Sequence, residues 1–315
     1  MLCGDPAQLA PVLAQPVYAL RGPNKHLAAR FHLFKKVVEL DQPFWQVGND
    51  ETQKRFRELL KRVANCNGTK EDWTWLLSRC TSRLSPADNK LFDASKYIVA
   101  TNEMQNDINH KKLSAFTPII RITRSKDSVC AIEDNDLEGE QIGSDGPQMY
   151  AVGVEVMLTV NLWTEAGLVN GACGKVVGIL KPEDGRDAHI ILVEFPGYRG
   201  PALSPEQPFV VPITQIRSGK SSGIPLTLAW AITIHKAQGM TIERVTIDLG
   251  HKEFASGLTF VVLSRAKSFY GLRIRPFDLD RYQSIGNGKH VEARHEEFHH
   301  LRRIAAATVA SSQAA

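Results

Sequence analysis

The spacing of hydrophobic and polar positions changes character along the chain. Over residues 50–65, Phe56, Leu59, Leu60 and Val63 recur at helical spacing with charges on the opposite face, which predicts an amphipathic helix. Residues 71–80 predict a second helix. Lys36 to Leu40 reads as a short strand, and Tyr97 to Ala100 as a buried one, with a helix expected after Thr101 and Asn102 that turns Ile108 and Leu113 inward. Between 147 and 223 the apolar runs shorten. Val154 to Leu158, Gly174 to Leu180, Ile190 to Phe195 and Phe209 to Ile213 are separated by Asn-Gly, Pro and Gly signals, a spacing that predicts a small antiparallel barrel. From Leu226 to Ala231 the pattern returns to buried α/β character. Val245 to Asp248, Phe260 to Leu263 and Leu272 to Ile274 are expected to complete a sheet. The tail from about 285 is polar, His-rich and then Ala-rich, and reads as helix or disorder.

Composition narrows the class only slightly. A chain of 315 residues is long enough for two domains. The net charge of +4 permits a nucleic-acid partner without requiring one. The five cysteines, Cys3, Cys66, Cys80, Cys130 and Cys173, form no CxxC pair, so they read as free thiols of a reducing compartment and no metal site is expected. No apolar run reaches membrane-spanning length and no signal-peptide pattern is present, so no membrane partner is expected and an intracellular location is.

Candidate chemistry concentrates in a few segments. Met1-Leu2-Cys3 resembles the end of a buried strand, and Gly4-Asp5-Pro6-Ala7-Gln8-Leu9-Ala10-Pro11-Val12 follows it. A Gly-Asp turn there places a carboxylate and an amide at a sheet edge, where a glutamine can both donate and accept near a phosphate and an attacking water. In Ala229-Trp230-Ala231-Ile232-Thr233-Ile234-His235-Lys236-Ala237-Gln238-Gly239-Met240-Thr241, an apolar strand gives way to hydroxyl, imidazole and ammonium groups beside a glycine, a set suited to phosphates. In Phe260-Val261-Val262-Leu263-Ser264-Arg265-Ala266, an arginine ends an apolar run. Alone it would more often make a surface ion pair, but it is also placed to act as an arginine finger.

In that order these segments resemble motifs III, V and VI of superfamily-1B helicases, with the PIF-type (petite integration frequency) family the nearest and RecD-like and Helitron helicases also similar. Val156-Met157-Leu158, Asn161-Leu162 and Gly167-Leu168-Val169-Asn170-Gly171 resemble the segment that opens that family's accessory barrel, and Tyr97 to Asn109 resembles its ATN…iN segment. The resemblance implies the C-terminal portion of an ATP-dependent 5′→3′ DNA helicase with an α/β, RecA-like P-loop NTPase fold. It implies a first-domain remnant at 1–35, a second RecA-like domain at 36–146 and 224–284, a small β-barrel insertion at 147–223 and a tail at 285–315. Gly4, Asp5, Gln8, Gln238, Gly239 and Arg265 are implied on the nucleotide side, with Gln8 and Arg265 catalytic. Thr101, Asn102, Thr233, His235 and Lys236 are implied on the DNA side. The implied cofactors are ATP and Mg2+, the partner is single-stranded DNA, the state is a monomer, and the location is nuclear or mitochondrial if the source is eukaryotic. Telomere maintenance, DNA repair, recombination, mitochondrial DNA and transposon roles are all compatible.

Two departures stand against the family pattern. Walker A and B motifs precede motif III in the family, so the chain as given does not contain them there. Ser218-Gly219-Lys220-Ser221 resembles a Walker ending, but position 214 is Thr rather than Gly and Gly223-Ile224-Pro225 follows, so it reads as a loop. In Leu40-Asp41-Gln42-Pro43-Phe44-Trp45-Gln46, Trp45 stands where the resemblance implies a γ-phosphate arginine. Arg55 or Arg57 is the candidate to compensate. Two readings follow: part of a helicase that is inactive alone, or a degenerate relic that binds DNA or a partner without hydrolysis. Residues 1–35 are expected to be weakly anchored.

Overall fold

The computed structural model describes residues 3–10, 15–19, 33–40, 46–122, 130–131, 148–181, 189–218, 221–287 and 290–313. The chain divides into two compact units, Met1–Thr101 with Thr233–Ala315, and Asn102–Ile232.

The first unit opens its regular structure with helix α1, Glu51–Ala64. Asp50 caps it by accepting from the Gln53 N–H, and Phe56, Leu59, Leu60 and Val63 form its buried stripe. Fully burying such a side chain is worth about 1.5–3 kcal/mol. Helix α2, Lys70–Leu77, begins with a capping box between Thr69 and Asp72. The same Asp72 carboxylate accepts two hydrogen bonds from Arg62, both 2.7 Å, which tie the two helices together. A short helix α3, Pro86–Lys90, leads to strand β1, Lys96–Val99. Lys36 to Leu40 forms no strand. Val38 and Leu40 are 79% and 91% exposed, and a lone apolar run with no ladder partner has nothing to hold it as a strand.

The second unit starts with helix α4, Asn102–Leu113, whose buried face is Gln105, Asn109 and Leu113, with Ile108 half-buried. Asn109 explains the polar face. Its amide donates to the Leu228 and Ala231 carbonyls, both at 3.0 Å, and accepts from the Ala231 N–H at 2.8 Å. The strands then run β2 Ile120–Ile122, β3 Cys130–Ala131, β4 Gln148–Tyr150, β5 Glu155–Leu158, β6 Cys173–Leu180, β7 Ile190–Glu194, β8 Val210–Ile213, β9 Ile216–Ser218, β10 Ser221–Gly223 and β11 Leu226–Leu228. Five of them form an antiparallel sheet in the order β11-β5-β6-β7-β8 around a core that includes Val156, Leu158, Val176, Ile191, Val193 and Phe195. Leu226 to Leu228 therefore belongs to this sheet; the pattern does not separate it from the strand that begins at Ala231, because both are short apolar runs. β9 and β10 pair antiparallel, Ser218 opposite Ser221, so a strand and not a phosphate-cradling helix follows Lys220. Gly219 and Lys220 themselves lie outside the described residues.

The chain returns to the first unit through β12, Ala231–Thr233, and continues with β13, Val245–Asp248, helix α5, Leu258–Leu263, and β14, Leu272–Ile274. The sheet order is β12-β1-β13-β14, with β1, β13 and β14 parallel. Phe260 to Leu263, expected as a strand, is helical. A short run apolar on every side carries no period that separates the two states. Here Gly257, at φ 88°, turns the chain into a helix whose residues Leu258, Thr259, Val261, Val262 and Leu263 are all buried.

Two helices close the chain, α6, Leu279–Gln283, and α7, Val291–Gln313. The tail is thus a long helix with defined partners. Arg294, 1% exposed, donates to the Cys66 thiol, and His295 Nε2 lies 3.0 Å from the Asn65 carbonyl, so the start of α7 sits on the end of α1. Farther along, Thr308 accepts from the Val37 N–H at 3.2 Å, Arg302 pairs with Glu39 at 3.5 Å, and the turn Val17–Ala19 packs on the same helix. Within the described parts of residues 1–35, Ala7 is 3% exposed and Ala19 8%, whereas Val17, Leu33 and Phe34 are 43%, 70% and 44% exposed, so anchoring is confined to a few small side chains. The proteolysis expectation changes accordingly. Truncating the chain before Val291 should expose the Val17–Ala19 region to cleavage that the intact chain resists, read as fragment masses under limiting trypsin or chymotrypsin. Equal rates in both forms would show that α7 does not hold this segment. Among the described residues no helix is long and apolar enough to cross a membrane.

Candidate functional site

Three segments distant in sequence meet in the first unit. In the first, the Asp5 carboxylate accepts from the Ala7 N–H at 2.9 Å and from Gln8 Nε2 at 3.2 Å, and the Gln8 N–H donates to the Asp5 carbonyl at 3.1 Å. The side chain folds back on its own backbone as Asp does in tight turns. Gln8 is left half-buried with its amide oxygen turned outward from the turn, where it accepts from Gln238 Nε2 at 3.0 Å.

The second segment follows β12. The Ile234 N–H donates to the Val99 carbonyl at 3.1 Å, the Ala237 N–H to Thr233 at 3.1 Å and the Met240 N–H to Ala237 at 3.1 Å, which coils residues 234–239 into tight turns. Gly239 closes them at φ 83°, a conformation that disfavours residues with a Cβ. Gln238 and Gly239 are exposed, His235 and Lys236 half-buried, and Thr233 only 7% exposed. Thr101 ends the first unit and is exposed. Asn102 opens the second and is also exposed.

The third segment leaves α5. Arg265 donates from Nε to the Val261 carbonyl at 2.8 Å, from Nη1 to the Met240 carbonyl at 3.0 Å and from Nη2 to Ser264 Oγ at 2.8 Å. Three of the five guanidinium N–H groups are thereby fixed to the chain, and one on each terminal nitrogen remains, the pair that can fork to an anion. Burial holds the Arg265 pKa below the ordinary guanidinium value, and the Asp5 carboxylate acts in the opposite direction. Asp5, Gln8, Gln238 and Arg265 thus form one polar cluster.

Sequence reasoning missed two supports of this cluster. A Cβ on Gly257 would lie 2.3 Å from the Ala7 carbonyl oxygen, so the first segment rests directly on that glycine. Gln46 donates to the Ser264 carbonyl at 3.0 Å, and Arg57 holds the Gln46 and Gly48 carbonyls at 2.9 and 2.7 Å. Arg57 is therefore engaged with backbone, and Arg55 lies over the Trp75 ring, 4.3 Å from its centre. Trp45 lies outside the described residues. A lone glycine before an apolar run was the only sequence signal for Gly257. Gly257→Ala is expected to destabilise the chain by about 2–4 kcal/mol, combining positive-φ strain with displacement of Ala7. Chemical denaturation measures this, and a cost below about 1 kcal/mol would mean that Ala7 is not seated there.

Chemically the cluster offers amide and guanidinium donors at one place, beside a carboxylate that can order them. It suits the terminal part of an anionic ligand. Among the described residues no group of three or more His, Cys, Asp or Glu side chains could hold a metal ion.

No family model matches the sequence. The chain is 31% identical over 287 residues to the ATP-dependent DNA helicase PIF1 of Danio rerio, a match covering 88% of this chain and 40% of that protein. It is 42% identical over 127 residues to the ATP-dependent DNA helicase PIF1 of Mus musculus, covering 40% of this chain and 19% of that one. Among solved structures, the Bacteroides Pif1 helicase in complex with ADP-AlF3 and single-stranded DNA superposes with a TM-score of 0.59 at 22% identity, covering 92% of this chain and 64% of that chain. Pif1 from Candida albicans gives 0.59 at 22% identity, covering 82% and 59%. The fold is thus the helicase α/β fold. In sequence the chain is similar to PIF1 DNA helicases, and it spans about two fifths of the length of the zebrafish protein.

Proposed function

We propose that the chain supplies the second motor domain, the accessory domain and a remnant of the first domain of an ATP-dependent 5′→3′ DNA helicase. The observation that carries this reading is the hydrogen bond from Gln238 to Gln8, which joins the segment resembling motif III to the one resembling motif V beside Arg265. In this reading residues 1–35 are the first-domain remnant, 36–146 with 224–284 the second RecA-like domain, 147–223 the accessory barrel and 285–315 the tail.

The residues present fit one end of a nucleoside triphosphate, whose hydrolysis supplies the energy of translocation; the Mg2+ that accompanies it would find no complete ligand set among the described residues. Arg265 and Gln8 would meet the terminal phosphate, and Gly4, Asp5, Gln238 and Gly239 would shape the loops around it. The sequence holds no GxxxxGK[ST], so the remaining phosphates would be held by groups outside this chain. Arg265 would neutralise charge that develops during phosphoryl transfer. Gln8, bonded to Asp5 and Gln238, would orient the attacking water and pass the state of the phosphate to the segment that carries His235 and Lys236. Thr101, Asn102, His235 and Lys236 would face the DNA backbone, and Thr233, 7% exposed here, would do so only if it became more accessible. The protein would act as a monomer on single-stranded DNA in the nucleus or a mitochondrion, and alone it would not hydrolyse ATP.

The chain by itself is expected to bind an oligo-dT strand weakly, with affinity falling steeply as salt rises, because phosphate contacts release counterions. Fluorescence anisotropy across a salt series measures this. Binding that ignores salt, or that prefers one base sequence, would contradict the assignment of His235 and Lys236 to phosphates.

A further inference from the structure

Beside the segment proposed to face DNA lies an aromatic ring with no burial to explain it. Phe254 is 53% exposed, and its ring lies 6.4 Å from that of His235, centre to centre, inclined by 27°. At that separation the two rings cover each other little. The residues before it, His251 and Lys252, are exposed as well.

The backbone that presents Phe254 is firmly anchored. The preceding side chain, Glu253, is 1% exposed and lies 2.8 Å from Arg281, itself 2% exposed. Glu253 also accepts from the Thr259 N–H at 3.1 Å and from the Thr259 hydroxyl at 2.6 Å. Arg281 reaches the Leu249 carbonyl and Thr259, both at 3.3 Å. A buried ion pair with these hydrogen bonds fixes the segment from beneath, so the next residue projects outward from a rigid base.

An exposed aromatic on a rigid base, flanked by cationic or potentially cationic side chains, is the arrangement that binds a single nucleic-acid strand. Bases stack on the ring while charges meet the backbone, and stacking tolerates any base because each has a π-face. We infer that Phe254 is a stacking platform for a nucleobase of the single strand whose phosphates meet His235 and Lys236. Glu253, Arg281 and Thr259 act on it as positioning residues. The inference rests on the DNA-facing reading of His235 and Lys236, and it adds a base contact to their backbone contacts.

The two kinds of contact respond differently to salt, which gives the test. Affinity of the full chain for a fluorescent oligo-dT is measured by anisotropy at several salt concentrations. Wild type, Phe254→Ala, Phe254→Trp and Lys236→Ala are compared on the oligonucleotide and on an abasic strand of the same length. Phe254→Ala should weaken oligo-dT binding by about 5- to 150-fold with an unchanged salt slope, and Phe254→Trp should restore it. On the abasic strand, wild type and Phe254→Ala should be equal. Lys236→Ala should reduce the salt slope instead. Equal binding of oligo-dT by wild type and Phe254→Ala overturns the inference alone, as does an equal loss on the abasic strand. If wild type binds neither strand, the DNA reading fails and this inference fails with it.

Discussion

Arg265→Ala is expected to lower DNA-stimulated ATP hydrolysis by about 10³- to 10⁵-fold, the range for removing an arginine finger, in a chimera that completes the motor. The chimera joins this chain to the segment that precedes the matched region in the zebrafish helicase. The side chain is already held in place. Hydrogen bonds to Val261, Met240 and Ser264 fix the guanidinium plane and leave donors to spare. Lysine offers one point charge and no fork, so Arg265→Lys should recover only a small part of the rate. Affinity for single-stranded DNA should stay within about twofold, because a residue acting on developing phosphoryl charge does not set DNA affinity. Since the substitution also removes bonds to the turn at Met240, thermal unfolding is read alongside. A loss of activity that only follows a loss of folded protein would assign Arg265 to structure.

The second large effect is on stability. Arg281→Met is expected to cost about 3–5 kcal/mol, because it leaves the buried Glu253 carboxylate without its cation. The double substitution Glu253→Gln with Arg281→Met should recover much of that cost, since the uncompensated charge is then gone. Chemical denaturation of the full chain measures both. A single-variant cost below about 1 kcal/mol would show that water or another group satisfies Glu253. The consequence for the site is direct: Thr259, bonded to Glu253, lies in the helix that leads to Arg265.

Much of this was legible in the sequence, for physical reasons that differ by element. The helix at Glu51–Ala64 announces itself because one face is buried and the other solvated, which writes a 3.6-residue period into Phe56, Leu59, Leu60 and Val63. The run from Phe260 to Leu263 reads as a strand because it is apolar throughout and has no period to read. The helix Asn102–Leu113 inverts the usual rule. Asn109 is buried to satisfy backbone at Leu228 and Ala231, a demand that exists only once those distant strands are in place. The same limit applies to the site. Gln8, Gln238 and Arg265 were nominated by residue type and resemblance, but the bond between Gln8 and Gln238 spans 230 residues of sequence, which no local pattern encodes. Gly257 was missed because its importance is the carbonyl of Ala7 lying against it, again a contact across the chain. Phe254 was missed because exposure cannot be read from a phenylalanine's identity.

The central claim is that the Asp5, Gln8, Gln238 and Arg265 cluster is one half of a nucleotide site that needs a second half. Steady-state ATP hydrolysis, with and without single-stranded DNA, tests it most directly when this chain and the chimera are assayed side by side. The account predicts background turnover from the chain alone, DNA-stimulated turnover from the chimera, and loss of that stimulation in Gln8→Ala. Turnover by the chain alone that Arg265→Ala abolishes, or a folded chimera that binds DNA yet hydrolyses no ATP, would contradict it.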